Sequence, residues 1–340
     1  MHASSDLMLS LADILAARAR IAGLAIETPL IPSPHLSKIA GQEFLLKLEL
    51  AQPTGAFKLR GAANAVATLP ADAPGVVCAS TGNHGRALAY AAQARGVRAT
   101  ICMSRLVPDV KRDAIAALGA EICTLDTQDD AELEAARIAA DDGFLEISAF
   151  DDPQVIAGQG TIGLELLSAR PDLETLLIPL SGGGLAGGIA LAAKTIKPSI
   201  RVIGLTMDRG PAMHLSIAAG HPVPVEELPS LADALGGSIG ITNRHSLDLC
   251  RRYLDDSILV TEAEIYRALQ TLYHEDRLVA EGSCVVGIAA LLAGKLPQLT
   301  GPTATILTGR NIDPKRHAAI MRGETIRLGD LVLEGVPYAS

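Results

Sequence analysis

Residues 75–96 read GVVCASTGNHGRALAYAAQARG, and this stretch decides the fold. GVVCAS is a short apolar run of the kind that forms a strand buried on both faces. The run from Gly82 to Gly96 carries small and apolar residues at helical spacing between two glycines. A strand that ends in a polar loop and passes at once into a helix is half of a βαβ unit. The rhythm continues, with ATICM as strand, VPDVKRDAIAALG as helix, EICTL as strand and DDAELEAARIAADDG as helix. It returns later: GTIGLELLSAR, GGGLAGGIALAAKTI, TEAEIYRALQTLYHE and CVVGIAALLAG read as helices, and LETLLIPL, RVIGLTM and TATILTG as strands. Such alternation implies parallel sheets covered on both faces. The expected fold class is therefore α/β, with two parallel-sheet units and a cleft between them, and open α/β sheets hold ligands at the carboxyl ends of their strands.

The whole chain sets outer limits on function. With 340 residues, 49% of them hydrophobic, it has ample material for one large or two medium domains. Lys plus Arg is 29 against Asp plus Glu 38, a balance that disfavours phosphate backbones and anionic lipid, and no cationic stripe points to nucleic acid. Cys78, Cys102, Cys123, Cys250 and Cys284 form no C-x-x-C pair and read as buried thiols of a cytoplasmic protein. The segment from Leu176 to Ala193 carries no charge, near the ~20 residues of a membrane span. Its five glycines, Pro179 and Ser181 instead indicate strand, turn and packed helix. The N-terminal MHASSDLMLSLADILAARAR lacks the cationic start of a signal peptide and reads as an amphipathic helix.

Three strand-to-loop junctions are candidate ligand sites: ASTGNHG at 79–85, PLSGGGLAGG at 179–188 and LTGRN at 307–311. SGGGL follows a strand and opens a helix, so its amides suit a phosphate. Gly182, Gly184 and Gly187 also satisfy G-x-G-x-x-G with Asp208 about 20 residues on, which keeps a dinucleotide-binding oxidoreductase as an alternative. Gly187 and Gly188 equally suit close packing of a helix on its neighbours. Lys58, in PTGAFKLRGA at 53–62, follows a Pro-Thr-Gly turn among apolar residues. A desolvated lysine has a lowered pKa and adds to carbonyls. Together with a phosphate loop, it suits a phosphorylated aldehyde cofactor such as pyridoxal phosphate.

PTGAFKLRGA, STGNHG, GQGT, PLSGGGLAGG, EGSCVVGIA and LTGRN resemble, in order and spacing, the fold-type II pyridoxal phosphate enzymes, the tryptophan synthase β-like group that includes serine/threonine dehydratases and serine racemase. Within it, STGNHGRALAYAA, SRLVP, AGQGTIGLE, SLADALGGSIG and TGRNID are most similar to the hydroxyectoine utilization dehydratases. The resemblance implies a large cofactor domain of residues 1–74 and 152–340, a small closing domain of 75–151, and a homodimer. It implies that Lys58 carries the cofactor as a Schiff base and acts as general base, with Phe57 beside the ring and Asn83 on the ring hydroxyl. Ser181, Gly182, Gly183, Gly184 and Leu185 would hold the phosphate, Thr308 would face the ring nitrogen, and Gly236 and Gly237 would line the cofactor edge. Ser80, Thr81, Gly82 and His84 would grip the substrate carboxylate.

The implied activity is loss of water from a β-hydroxy-α-amino acid, in hydroxyectoine catabolism. Alternatives are a threonine/serine dehydratase, a serine racemase-like enzyme, a β-replacement enzyme of the cysteine-synthase kind and a non-catalytic amino-acid sensor. Thr206 and Ala212 occupy positions where racemase-like members bind a cation through carboxylates, so no metal is expected. Thr81 stands where racemases keep a serine as second-face base. Arg86 and Arg310 stand where dehydratases carry smaller or neutral residues, and either is a candidate for an extra carboxylate or ring substituent of the substrate. Glu281 reads equally as a helix N-terminal acid or a neighbour of the cofactor ring, and Ser80 and Asn83 as caps of the helix that starts near His84.

Overall fold

The computed structural model describes residues 9–80, 82–105, 107 and 109–339, the side chain of Val110 excepted. In chain order the strands of the two principal sheets are β1 (Leu30–Pro32), β2 (Phe44–Lys47), β3 (Gly75–Ala79), β4 (Arg98–Ser104), β5 (Glu121–Leu125), β6 (Leu145–Glu146), β7 (Thr175–Pro179), β8 (Arg201–Met207), β9 (Asp256–Val260) and β10 (Thr303–Ile306). The larger sheet has the order β1-β2-β10-β7-β8-β9, parallel except for β1 against β2. The smaller sheet, β5-β4-β3-β6, is parallel throughout. The expected α/β class with parallel sheets is what the chain forms.

The central strands, β2, β10, β7 and β8 of the larger sheet and β4 and β3 of the smaller, are largely buried because helices cover the sheet faces, while the edge strands are partly exposed. Val76, Leu88 and Ile101 share one core with Leu59, Ala62 and Val66 of the helix Lys58–Ala67, so this helix packs into the smaller sheet's layer. Ile162, Ile178 and Ile189 belong to the core on one face of the larger sheet, and Leu177, Val286 and Ile288 to the core on the other. The N-terminal helix Leu11–Ile21 turns Ile14, Ala17 and Ile21 inward and carries Arg18 and Arg20 in its last turn, which is the expected amphipathic pattern. Among the described residues no helix is long and apolar enough to cross a membrane, and Leu176–Ala193 resolves into β7, a glycine turn and the helix Gly184–Ile196.

The helix Pro153–Ala169, longer than the expected GTIGLELLSAR, sets the site's dimensions. A Cβ at Gly158 would stand 2.5 Å from the carbonyl oxygen of Arg60, and one at Gly188 would stand 2.4 Å from that of Ile156. Glycine at these two contacts lets the Lys58 helix and the Gly184 helix approach the same central helix backbone to backbone. The glycines of GQGT and GLAGG therefore fix the separation of lysine and phosphate loop.

Candidate active site

The turn that carries Lys58 is fastened to the loop after β10. Phe57 N donates to the carbonyl of Thr308 at 2.9 Å, Arg310 N donates to that of Gly55 at 2.9 Å, and Ala56 bridges Gly309. Gly55 has φ +78°, a conformation that the Pro-Thr-Gly sequence permits, and the chain then enters the helix with Lys58 as its first residue. The Lys58 Nζ donates to the Ala149 carbonyl at 2.7 Å and lies 5.2 Å from the Phe57 ring centre. The side chain runs partly exposed along the cleft, while its amine is crowded by protein atoms. Burial lowers its pKa to about 8, and the charge of Glu281 offsets part of that shift.

The loop after β3 supplies the opposing wall. The Ser80 hydroxyl accepts from Gly85 N at 3.0 Å, in the first turn of the helix Asn83–Arg95, and so takes the capping role expected of it. Asn83 departs from that expectation. Its amide donates to Glu281 Oε1 at 2.8 Å and its oxygen accepts from Asn311 Nδ2 at 2.6 Å, so it faces the cleft and not its own helix. Glu281, buried at 5% exposure, is therefore part of the site and not only a helix-end acid. Burial raises its carboxyl pKa to about 7, nearby Asp233 adds to that, and the Asn83 hydrogen bond opposes it. His84 is buried, with Nε2 2.9 Å from the Ile147 carbonyl and, among the described residues, no partner at Nδ1. Burial first, then the charge of Lys58, lowers its pKa to about 4. Thr81 lies outside the described residues.

The glycine loop closes the third side. Gly183 has φ +87° and precedes the helix Gly184–Ile196 without a side-chain cap, which leaves its first amides free for a ligand. A Cβ at Gly182 would stand 2.2 Å from the Phe150 ring, and one at Gly184 would stand 2.5 Å from the Phe150 carbonyl oxygen. The loop thus needs glycine to seat against the segment whose Ala149 carbonyl holds Lys58. Ser181 is half-buried and Leu185 buried at its two ends. Gly187 and Gly188 serve the packing role, facing Leu249 and Ile156. Thr308 Oγ1 lies 3.3 Å from Cys284 Sγ, and burial pushes the Cys284 thiol well above its ordinary range, so the groups on this wall are neutral. Gly236 and Gly237, half-buried, follow the short turn Asp233–Leu235, whose Ala234 N donates to Ser283 Oγ beside Glu281.

Sequence reading missed the floor beneath the lysine. Arg60, 1% exposed, meets Glu49 at 2.8 Å and also pairs with Glu165, while Lys47, 2% exposed, pairs with Glu165 too. The Thr28 hydroxyl donates to Glu49 and the Arg60 guanidinium donates to Thr161 Oγ1. The available signal was charge inside apolar sequence, at LLKLEL and FKLRGA. Among the described residues no group of three or more His, Cys, Asp or Glu is placed to hold a metal ion.

The family model described as pyridoxal-phosphate dependent enzyme matches residues 21–309. A Sinorhizobium fredii protein named "Putative threonine dehydratase" is 51% identical over 318 residues, covering 93% of this chain and 96% of the relative. The L-threonine ammonia-lyase of Thermotoga maritima is 39% identical, over 95% of this chain and 80% of that protein. The solved structure of maize serine racemase superposes with a TM-score of 0.86 at 32% identity, covering 90% of this chain and 95% of that one. These relatives are named for threonine and serine chemistry, and the hydroxyectoine resemblance finds no support in them.

Proposed function

The chain belongs to the pyridoxal-phosphate dependent enzymes, and from that premise we propose that it removes water from a small β-hydroxy-α-amino acid to give a 2-oxo acid and ammonia. It is a threonine dehydratase-like enzyme with pyridoxal phosphate as cofactor. L-threonine and L-serine are the reference substrates, since the relatives carry those names. The observation that carries the reading is Lys58, a crowded amine with a carbonyl for its only hydrogen-bond partner among the described residues and a pKa near 8, between a glycine loop and the Asn83 wall.

The residues present fit the cofactor. Uncapped amides at Gly183, Gly184 and Leu185 with the helix dipole behind them suit a phosphate, and Ser181 and Gly182 lead into them. Lys58 is the group that would hold the aldehyde, Phe57 and Asn83 flank it, and Thr308 offers a hydroxyl with no carboxylate to protonate a ring nitrogen. When bound, pyridoxal phosphate supplies an electron sink for the pair left at Cα.

The chain's own groups do the rest. With a pKa near 8, a useful fraction of Lys58 is unprotonated at neutral pH, so its amine can take a proton from Cα. The Ala149 carbonyl keeps that amine oriented. Ser80, Gly82 and His84 form the loop proposed to grip the α-carboxylate through backbone and hydroxyl donors, and Thr81 belongs to the same proposal. Glu281 and Asn311 hold Asn83 from both ends of its amide, so the wall that would face the cofactor is preset. Loss of the β-hydroxyl with one proton is loss of water. Hydrolysis of the resulting imine restores one water and yields 2-oxo acid and ammonia. The proposal retains the large and small domains divided at 74/75 and 151/152, a homodimer, and a cytoplasmic setting.

The test is ammonia release from purified protein supplied with pyridoxal phosphate and L-threonine, L-serine or a hydroxyectoine-derived β-hydroxy amino acid, with D-serine formation followed in parallel. Visible absorption should appear with the cofactor and vanish in Lys58→Ala, together with a rate loss on the order of 10⁴-fold. A bound cofactor with no ammonia from any of these acids would sink the dehydratase reading, and strong D-serine formation would favour racemisation.

A further inference from the structure

The Asn83 wall carries a cation that the mechanism above does not use. Arg86 lies one turn after Asn83 on the helix Asn83–Arg95. Helical side chains lean toward the helix N-terminus, so Arg86 reaches back over the loop that opens this helix. Its Nη1 donates to Asn311 Oδ1 at 3.2 Å, and Asn311 in turn bonds Asn83 and the Thr54 carbonyl. A Cβ at Gly55 would stand 2.7 Å from the same Asn311 oxygen, which puts the guanidinium beside the turn that leads into Lys58. Arg310, whose stem borders the same glycine, is exposed at the rim.

Other half-buried arginines have partners of several kinds: Arg112 pairs with Asp109, and Arg267 lies over the Tyr338 ring, 4.2 Å from its centre. Arg170 pairs with Glu43 and Asp172, Arg209 with Asp330, and Arg95 donates to the carbonyls of Val66 and Leu69. Among the described residues, half-buried Arg86 has one neutral amide as its hydrogen-bond partner and no carboxylate within ion-pair distance. A guanidinium has five donors in a planar fork that matches a carboxylate. In a chain of net charge −9, leaving such a fork without an acid at the mouth of the cleft reserves it for an incoming one.

We infer that Arg86 binds a second carboxylate of the substrate, so that the substrate class is a β-hydroxy amino acid with two carboxylates. This rests on the dehydratase reading above. The α-carboxylate goes to the loop amides and the second one to Arg86, with 3-hydroxyaspartate as the smallest acid that carries both and a leaving hydroxyl.

The experiment uses the cofactor-loaded enzyme and compares kcat/KM for ammonia release from 3-hydroxyaspartate and L-threonine. The dicarboxylate is expected to be preferred at least about 10-fold, and Arg86→Ala is expected to collapse that ratio on the order of 100-fold. Arg86→Lys retains charge without the fork and falls between. Aspartate and 2-aminobutyrate, which lack the leaving hydroxyl, are compared as inhibitors of the wild type, with aspartate about 10-fold tighter. This keeps the test valid if Arg86→Ala does not fold. An unchanged ratio in Arg86→Ala, an equal loss for both substrates, or 2-aminobutyrate binding as well as aspartate overturns the inference. The equal loss would make Arg86 a grip for the α-carboxylate common to all. Should no β-hydroxy acid release ammonia, the dehydratase reading fails instead, and the aspartate preference, read from the cofactor's absorption, still decides Arg86.

Discussion

Lys58 and Arg60 stand two residues apart on one helix, both crowded by protein, and their surroundings do opposite things to them. Arg60 faces the floor, where Glu49 and Glu165 satisfy it, and it is held more firmly protonated than a free arginine. Lys58 faces the cleft, where its hydrogen-bond partner is a carbonyl, and its proton is loosened. The floor is a closed set of opposite charges, so it can anchor the helix. The cleft is left short of counter-charge, so Lys58 and Glu281 titrate near neutrality and can move protons. Stability and reactivity are thus separated by half a turn of helix.

The largest way to break this comparison is at the floor. Glu49 is fully buried and accepts from Arg60 Nε, Arg60 Nη2 and Thr28. Glu49→Gln leaves a buried guanidinium with one carboxylate fewer, and a loss of about 3–5 kcal/mol is expected from the urea midpoint. A loss below ~1 kcal/mol would mean that the floor is no anchor.

Glu281 comes next, because the cleft should cost stability where the floor supplies it. Its carboxyl titrates near 7 in the folded chain and near the ordinary 4.5 when unfolded. The folded form therefore binds the extra proton between those values. The favourable contribution is present below about pH 4.5 and is lost as pH rises through 7. Glu281→Gln should remove this dependence, gaining on the order of 3 kcal/mol relative to wild type at pH 8 compared with pH 4.5. Parallel pH curves for the two proteins would contradict the buried carboxyl.

Parts of this division were legible in the sequence. The alternation of short strands and helices fixed the fold class, and EICTL and RVIGLTM are strands over the lengths expected. Lys58, Asn83 and the glycine loop were legible because each is a local pattern. The floor was not, since Arg60 meets Glu165 across 105 positions and no periodicity relates them. Glu281 stayed ambiguous for the same reason, its partner Asn83 lying 198 residues away. Strands β1, β2 and β9 escaped because they are short or carry charges among their apolar residues.

A smaller effect sharpens the contrast within the helix. Lys58→Ala removes an amine that gives up one hydrogen bond and its own desolvation, terms of opposite sign. The cofactor-free variant is expected to unfold within about 1 kcal/mol of wild type, against the several lost at Glu49. A loss as large as that of Glu49→Gln would make Lys58 a structural residue as well.

The smallest expected effect is none, at His84. Its Nε2 faces the Ile147 carbonyl, which can only accept, so Nε2 carries the hydrogen and Nδ1 keeps a lone pair. Burial is the larger reason for its pKa near 4, and the Lys58 charge the smaller. The imidazole should stay neutral from pH 5.5 to 8.5, seen as constant ring ¹⁵N shifts. In Lys58→Ala the smaller cause is gone and the larger remains, so the pKa should rise yet stay below the ordinary 6.5. An imidazole that titrates near 6.5 in the wild type would mean that water reaches this wall. The lowered pKa of Lys58 would then lose the burial that accounts for it, and the distinction between floor and cleft would fall with it.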